Sequence, residues 1–198
     1  MGWTSYHATH YNKNGSVNRK AECDGYFLEG LNRGYYEVLK SAIVGRIYYA
    51  AVRPLLKASG DEYEPIPENE RITFGVVMLT STKTKDYYNF SYKIVTEDMG
   101  PAEYTCPESI LKLLDETDSE WAKTWRNRCH LYNKTVKSLN QYPVGTVITV
   151  NGVSYTKSKV SCFKNPTWIN WQVETYIKVS AIGDMVCNNA EITVVLPK

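Results

Sequence analysis

CPESILKLLDETDSEWAKTWRNRC, residues 106–129, is where the chain changes its period. Pro107, followed by the acid Glu108, opens a short helix that the pattern carries through Leu114, because proline suits a first helical position and an acid suits the positive end of the dipole. A second helix starts near Thr117 or Asp118 and runs to about Tyr132, with Trp121, Trp125 and Cys129 recurring every four residues on one face. That face is expected to be buried, and Arg126 and Arg128 fall off it. Segments of β character lie on both sides of this helical pair, so the expected class is α+β, with mainly antiparallel sheets.

Working outward toward the N-terminus, Trp3–Thr9 alternates as a short strand, and Asn14-Gly15 turns the chain. Asn18 is placed to cap a helix over Arg19–Leu28, and Gly30 to end it. Tyr35–Ile43 and Arg46–Val52, joined at Val44-Gly45, read as a hairpin. Ile72–Thr80 and Tyr87–Ile94, joined through Thr82–Asp86, read as another. Between them Ala58–Arg71, acidic and holding Pro65 and Pro67, reads as a mobile loop. After Pro143 the β pattern returns at Thr146–Val150, turns at Asn151-Gly152, and continues over Val153–Val160, Gln172–Ile182 and Glu191–Leu196. With no internal repeat or low-complexity tract, the 198 residues read as one compact unit, with sub-structure 1–104 (β-rich with one helix), 105–135 (helical) and 136–198 (β-rich).

Composition places the chain among folded proteins, since 43% hydrophobic with 22% charged residues is far from the disordered corner. Sixteen tyrosines against four phenylalanines follow first from the β propensity of tyrosine, before a binding surface is needed. Met1-Gly2-Trp3-Thr4-Ser5-Tyr6 offers no basic and apolar leader, and Tyr6 stands where a myristoylation site needs Ser or Thr. No apolar run approaches a membrane span, so a soluble, cytoplasmic protein is expected. Five scattered cysteines without a CxxC pair fit reduced thiols.

The chemistry-bearing residues are sparse. There is no Walker loop, GxGxxG, GxSxG or HExxH, so neither a catalytic residue nor a cofactor is assigned and a non-catalytic protein is expected. His7 and His10, with Cys23 and Asp24 downstream, would face opposite sides of a strand, which argues against a shared metal. Cys129 and His130 are neighbours on a helix, about a quarter turn apart, and cannot act on each other. Lys93, Glu97 and Asp98 end a strand ahead of Gly100-Pro101; a solvated turn accounts for them, and an enzyme or ligand site built from them with His7 and His10 is the second reading.

Charge is the stronger signal. Residues 61–120 carry fourteen Asp/Glu against five Lys/Arg, whereas residues 121–173 carry Lys123, Arg126, Arg128, Lys134, Lys137, Lys157, Lys159 and Lys164 with no acid. Tyr132, Tyr142, Tyr155, Phe163, Trp168 and Trp171 are interleaved with them. Cations with rings are what a single-stranded nucleic acid asks for, although plain solubility or pairing with the acidic segment would use the same cations. The expected site is therefore these eight cations gathered on one accessible face, with Trp168 and Trp171 as stacking groups.

Four blocks, MGWTSYHATHY (1–11), NRKAECD (18–24), YKIVTEDMGP (92–101) and the 106–129 stretch, together resemble an uncharacterised family of small proteins encoded by bacterial phages, prophages, plasmids and conjugative elements. The likeness covers about residues 1–130 and continues weakly into PVGTVITV (143–150). It brings no activity, cofactor or site residue. It implies a mobile-element setting; taken with the absent catalytic set and the acid-free basic stretch, the expected function is that of an accessory protein binding a nucleic acid or a nucleoprotein in the bacterial host cell, with anti-CRISPR inhibition of a CRISPR effector nuclease as one form of it. A structural or assembly partner without nucleic-acid contact is the third reading.

Overall fold

Ile47-Tyr48-Tyr49-Ala50-Ala51-Val52 has a ring, a methyl or a branched carbon at every position, so a strand made of it can be buried on both faces. In the structure, a computed structural model that describes residues 2–28, 34–82, 89–170 and 173–197 and only the backbone over 166–170 and 173–175, Tyr48 to Val52 are all buried. The element order is β1 (Thr4–Tyr6), α1 (Arg19–Leu28), β2 (Tyr36–Val44), β3 (Ile47–Pro54), β4 (Leu56–Ser59), β5 (Glu62–Pro65), β6 (Phe74–Ser81), β7 (Phe90–Thr96), α2 (Glu108–Leu111) and α3 (Glu120–Gln141). There follow β8 (Val147–Val150), β9 (Val153–Lys159), β10 (Cys162–Asn170), β11 (Val173–Lys178), α4 (Val179–Cys187) and β12 (Ile192–Val195). The fold is α+β with antiparallel pairing throughout, as the sequence pattern indicates.

The chain forms two compact units, Met1–Arg126 and Asn127–Lys198, rather than the single unit expected. Each has its own five-stranded sheet and core, and the boundary falls inside α3, which hides it from any search for linkers.

In the first unit the strand order is β1-β7-β6-β3-β2. One face sets Tyr48, Ala50, Val52, Val76, Met78, Phe90 and Tyr92 against Cys23 and Phe27 of α1. Helix α1 has the bounds the sequence predicts, and Asn18 Oδ1 accepts the Ala21 N–H at 3.2 Å as the cap; its expected stop, Gly30, lies outside the described residues. On the other face Gly75 leaves room for the Trp125 ring, which a Cβ there would meet at 3.0 Å. The indole N–H donates to the Glu103 carbonyl at 2.9 Å, and the Tyr49 hydroxyl bonds Thr105 Oγ1 at 2.8 Å, so the segment before α2 is stitched to the sheet. The first helix of the expected pair is shorter than the pattern suggests, with Pro107 one place outside it at the N-cap. The acidic loop expected over 58–71 is instead the β4–β5 hairpin and a 3-10 turn at Glu68–Glu70. Lys57 stands opposite Glu64, and the Tyr35 and Tyr63 rings stack at 4.6 Å. Pro65 is tolerated because it ends an edge strand.

The second unit has the order β11-β10-β9-β8-β12. Asn151 and Gly152, both at positive φ (48° and 80°), make the two-residue turn between β8 and β9 that Asn-Gly predicts. Ile148, Val150, Tyr155 and Phe163 form the inner face with Leu139 of α3 and Val179 and Ile182 of α4. The sequence reading missed α4, taking Gln172–Ile182 as one strand because Val and Ile favour sheets. Its buried set, Val179, Ile182, Gly183, Val186 and Cys187, has helical spacing.

Helix α3 runs nine residues past the expected Tyr132, and its stripe is shifted. Trp121 is 68% exposed, lying against Gly100, while Ala122, Trp125, Cys129, Tyr132 and Leu139 are buried. The three-and-four spacing fills the inward face, and four-residue spacing alone drifts off it.

Gly183 is where α4 meets α3: a Cβ there would stand 2.8 Å from Val136 Cγ2 and 3.0 Å from the Tyr132 ring. Gly183→Ala is expected to cost roughly 1–3 kcal/mol by overpacking, and adding Val136→Ala should recover part of that loss. Urea denaturation of the single and double variants checks it.

Candidate nucleic-acid interface

Among the described residues of the second unit, α3 and α4 pack on one face of its sheet. Alternation along β8 and β9 sends Ile148, Val150, Tyr155 and Lys157 inward and Val147, Thr149, Ser154 and Thr156 outward. The registers then line up an outward row across five strands: Val195 of β12, Val147 of β8, Thr156 of β9, Lys164 of β10 and Tyr176 of β11. Beside it runs a hydroxyl row, Thr193, Thr149 and Ser154, with Thr149 Oγ1 and Ser154 Oγ 3.0 Å apart. Lys164 is exposed and Tyr176 is 40% exposed. Beyond a register shift between β9 and β10, Lys159 lays its ammonium 5.1 Å from the centre of the Tyr176 ring. The face thus carries an aromatic ring with two cations and a strip of hydroxyls.

The eight cations singled out in the sequence do not gather on one face. Lys159 and Lys164 are on the open face just described. Lys134 and Lys137 are exposed on α3, which covers the opposite face of that sheet, and Arg128 is half-buried on the same helix. Lys123 donates to Glu120 at 2.8 Å, one turn away. Arg126 is held by carboxylate and carbonyl together: Nε and Nη2 donate to the two oxygens of the buried Glu97 at 2.7 and 2.6 Å, and Nη1 to the Asp115 carbonyl at 2.6 Å. Such a fork is among the strongest side-chain pairings.

Lys157 is 2% exposed and belongs to the interior. Its ammonium donates to the Leu139 carbonyl and lies 5.5 Å from the centre of the Phe163 ring. The reason lies in helix chemistry: the partner for the Leu139 carbonyl would be the N–H of residue 143, which is proline and has none. Lys157 fills that place at the negative end of the α3 dipole. Burial disfavours the charged form and lowers its pKa.

Of the interleaved rings, Tyr132, Tyr155 and Phe163 are buried and Tyr142 packs against the same core. The Trp168 side chain and Trp171 lie outside the described residues. Tyr176 was missed because it follows the acid-free run, two residues after Glu174; the β alternation over 173–178 was the available signal.

Three residues of the second reading, His10, Glu97 and Asp98, have partners within the protein. Glu22, buried, accepts the N–H groups of Thr9 and His10 at 2.5 Å and the Tyr6 hydroxyl at 2.9 Å, with His10 Nδ1 3.4 Å away. Glu97 is taken up by Arg126, Asp98 accepts from the Thr96 hydroxyl, and His7 is exposed. Among the described residues no three His, Cys, Asp or Glu side chains are grouped to hold a metal, and no helix is long and apolar enough to cross a membrane. None of the five cysteines forms a disulfide, and burial pushes the Cys187 thiol up to about 11.

No family model, curated protein or solved structure matches the chain.

Because burial holds the Lys157 amine below 10.5, the unfolded chain binds more protons there just under that pH. Stability contributed by this site therefore rises with pH toward 10.5. Lys157→Met is expected to flatten that rise, and Lys157→Glu to unfold the second unit, while Lys159→Glu and Lys164→Glu leave the melting temperature nearly unchanged. Denaturant titrations at several alkaline pH values and thermal melts check these outcomes.

Proposed function

We propose that the second unit binds single-stranded nucleic acid, free or exposed in a nucleoprotein, on the open face of its sheet. The observation that carries the reading is the Lys159 ammonium over the exposed Tyr176 ring, with Lys164 its neighbour in register. A base that stacks on Tyr176 displaces Lys159 from the ring. An exposed cation–π contact is worth about 0.5–1 kcal/mol, and stacking a base on an aromatic side chain about 1–3 kcal/mol, so the exchange favours the base. The displaced ammonium and Lys164 then meet the adjoining phosphates, and the hydroxyl strip offers donors along the backbone.

The charge of the unit supports the same partner. Residues 127–198 hold eight Lys/Arg against three Asp/Glu, a net of +5, whereas residues 1–126 hold fifteen against eighteen, a net of −3. The surface is narrower than the eight-cation face read from the sequence, and it calls for a short single strand rather than a long duplex.

The mobile-element setting that the sequence blocks resemble gives this binding a use. A non-catalytic accessory protein that grips an exposed strand could inhibit a host nucleoprotein, and a CRISPR effector nuclease, which holds guide RNA and displaces single-stranded DNA, is one of suitable chemistry. The protein would then be an anti-CRISPR.

Fluorescence anisotropy with a labelled 20-nucleotide thymidine strand tests the reading. Tyr176→Ala is expected to weaken binding roughly 5- to 150-fold, from the stacking range at a tenfold change per 1.4 kcal/mol. Lys159→Glu with Lys164→Glu should lower the log–log salt slope by about 1.4, at roughly 0.7 per single-strand phosphate contact. Binding that is absent in the unaltered protein, or equal in all three, would rule the face out.

A further inference from the structure

The strand registers of the first unit bring three serines side by side. Ser5 of β1 stands opposite Ser91 of β7, and Ser91 opposite Ser81 of β6. Alternation puts this row on the side of the sheet away from Phe90 and Tyr92, whose rings pack in the core with α1. Ser91 is buried, Ser5 is exposed, and their hydroxyl oxygens are 2.8 Å apart. Two hydroxyls that share one hydrogen bond use only one of their two hydrogens in it.

A shallow, open depression of about 420 Å³ lies beside the row, lined by Ser81 and Ser91 together with Trp3, Arg46, Leu79 and Thr80. That is the size of a small-molecule site. The Trp3 indole is 55% exposed. Arg46, in the turn between β2 and β3, is exposed and is one of the lining residues, and its carbonyl, which accepts the Thr80 N–H at 2.8 Å and the Thr80 hydroxyl at 2.9 Å, pins that turn. Lys93, the register partner of Leu79, stands one row further along the same face and adds a second positive charge. A tryptophan, an arginine, a leucine and one serine of the hydrogen-bonded pair are thus gathered around one opening.

We propose that this depression takes a flat ring bearing a phosphate, of the nucleoside monophosphate class, with the ring on Trp3 and the phosphate between Arg46 and the serine row. A guanidinium presents paired N–H groups, and with the hydroxyl hydrogen that the serine pair does not use they would make three donors, which match the three terminal oxygens of a phosphate better than the two of a carboxylate. Trp3 supplies the π-face for the base. The site lies wholly in the first unit and shares no residue with the strand-binding face of the second, so either can fail without the other.

The test uses the full-length protein with ¹⁵N-labelled tryptophan, titrated with adenosine 5′-monophosphate and followed by the indole N–H resonances. The resonance that disappears in Trp3→Leu is expected to be the one the nucleotide moves, saturably. Arg46→Gln should raise the dissociation constant at least tenfold, and adenosine, inorganic phosphate and benzoate should each bind at least tenfold more weakly than the nucleotide. No saturable shift of the Trp3 resonance, an unchanged constant in Arg46→Gln, or benzoate binding equal to the nucleotide overturns the proposal.

Discussion

Side chains leave a strand to alternate sides, and among the described residues the helices of the second unit pack on one of those sides. Every other residue of β8 and β9 must therefore enter a core built with Leu139, Val179 and Ile182, and the rest must face out. That constraint makes Lys157 and Lys159, two places apart, different kinds of residue. Without the register shift beside Cys162 they would share a face; the shift releases Lys159 to the Tyr176 ring while Lys157 stays beneath the sheet.

The interior lysine follows from a defect at the end of a helix. Pro143 cannot donate to the Leu139 carbonyl, and a buried carbonyl without a partner is costly. An ammonium on a long stem fills the gap from a distant strand, at the cost of desolvating a charge that the Phe163 face only partly offsets. The cation thus serves the fold, and the positive potential available to a partner is smaller than a count of lysines suggests.

The first unit handles buried charge differently. Glu22 and Glu97 are nearly fully buried, and each is supplied with several donors: two backbone N–H groups and a tyrosine for Glu22, a guanidinium fork for Glu97. Glu22 ties the segment after β1 to α1. Through Arg126 the Glu97 carboxylate ties the end of β7 to α3 and to the Asp115 carbonyl. These are positioning devices, and they remove Arg126, Glu97 and His10 from the groups that could act on a ligand.

The sequence by itself determined what rests on neighbours along the chain: α1 with its Asn18 cap, the Asn151-Gly152 turn, the β2–β3 hairpin and the antiparallel α+β class. Such features need only local hydrogen bonding, backbone preference and period. It misread β-branched α4 as strand, and it took the β4–β5 hairpin for a loop because two prolines outweighed the alternation around them. Of the site, Lys159 and Lys164 were legible as cations, yet so were Lys157 and Arg126. Only the tertiary structure decided which of the four meets solvent and which meets the Leu139 carbonyl or Glu97, and that Tyr176 and Ser91 stand beside residues far from them in the chain. Burial and cross-strand register arise from contacts between distant segments, which no local pattern encodes.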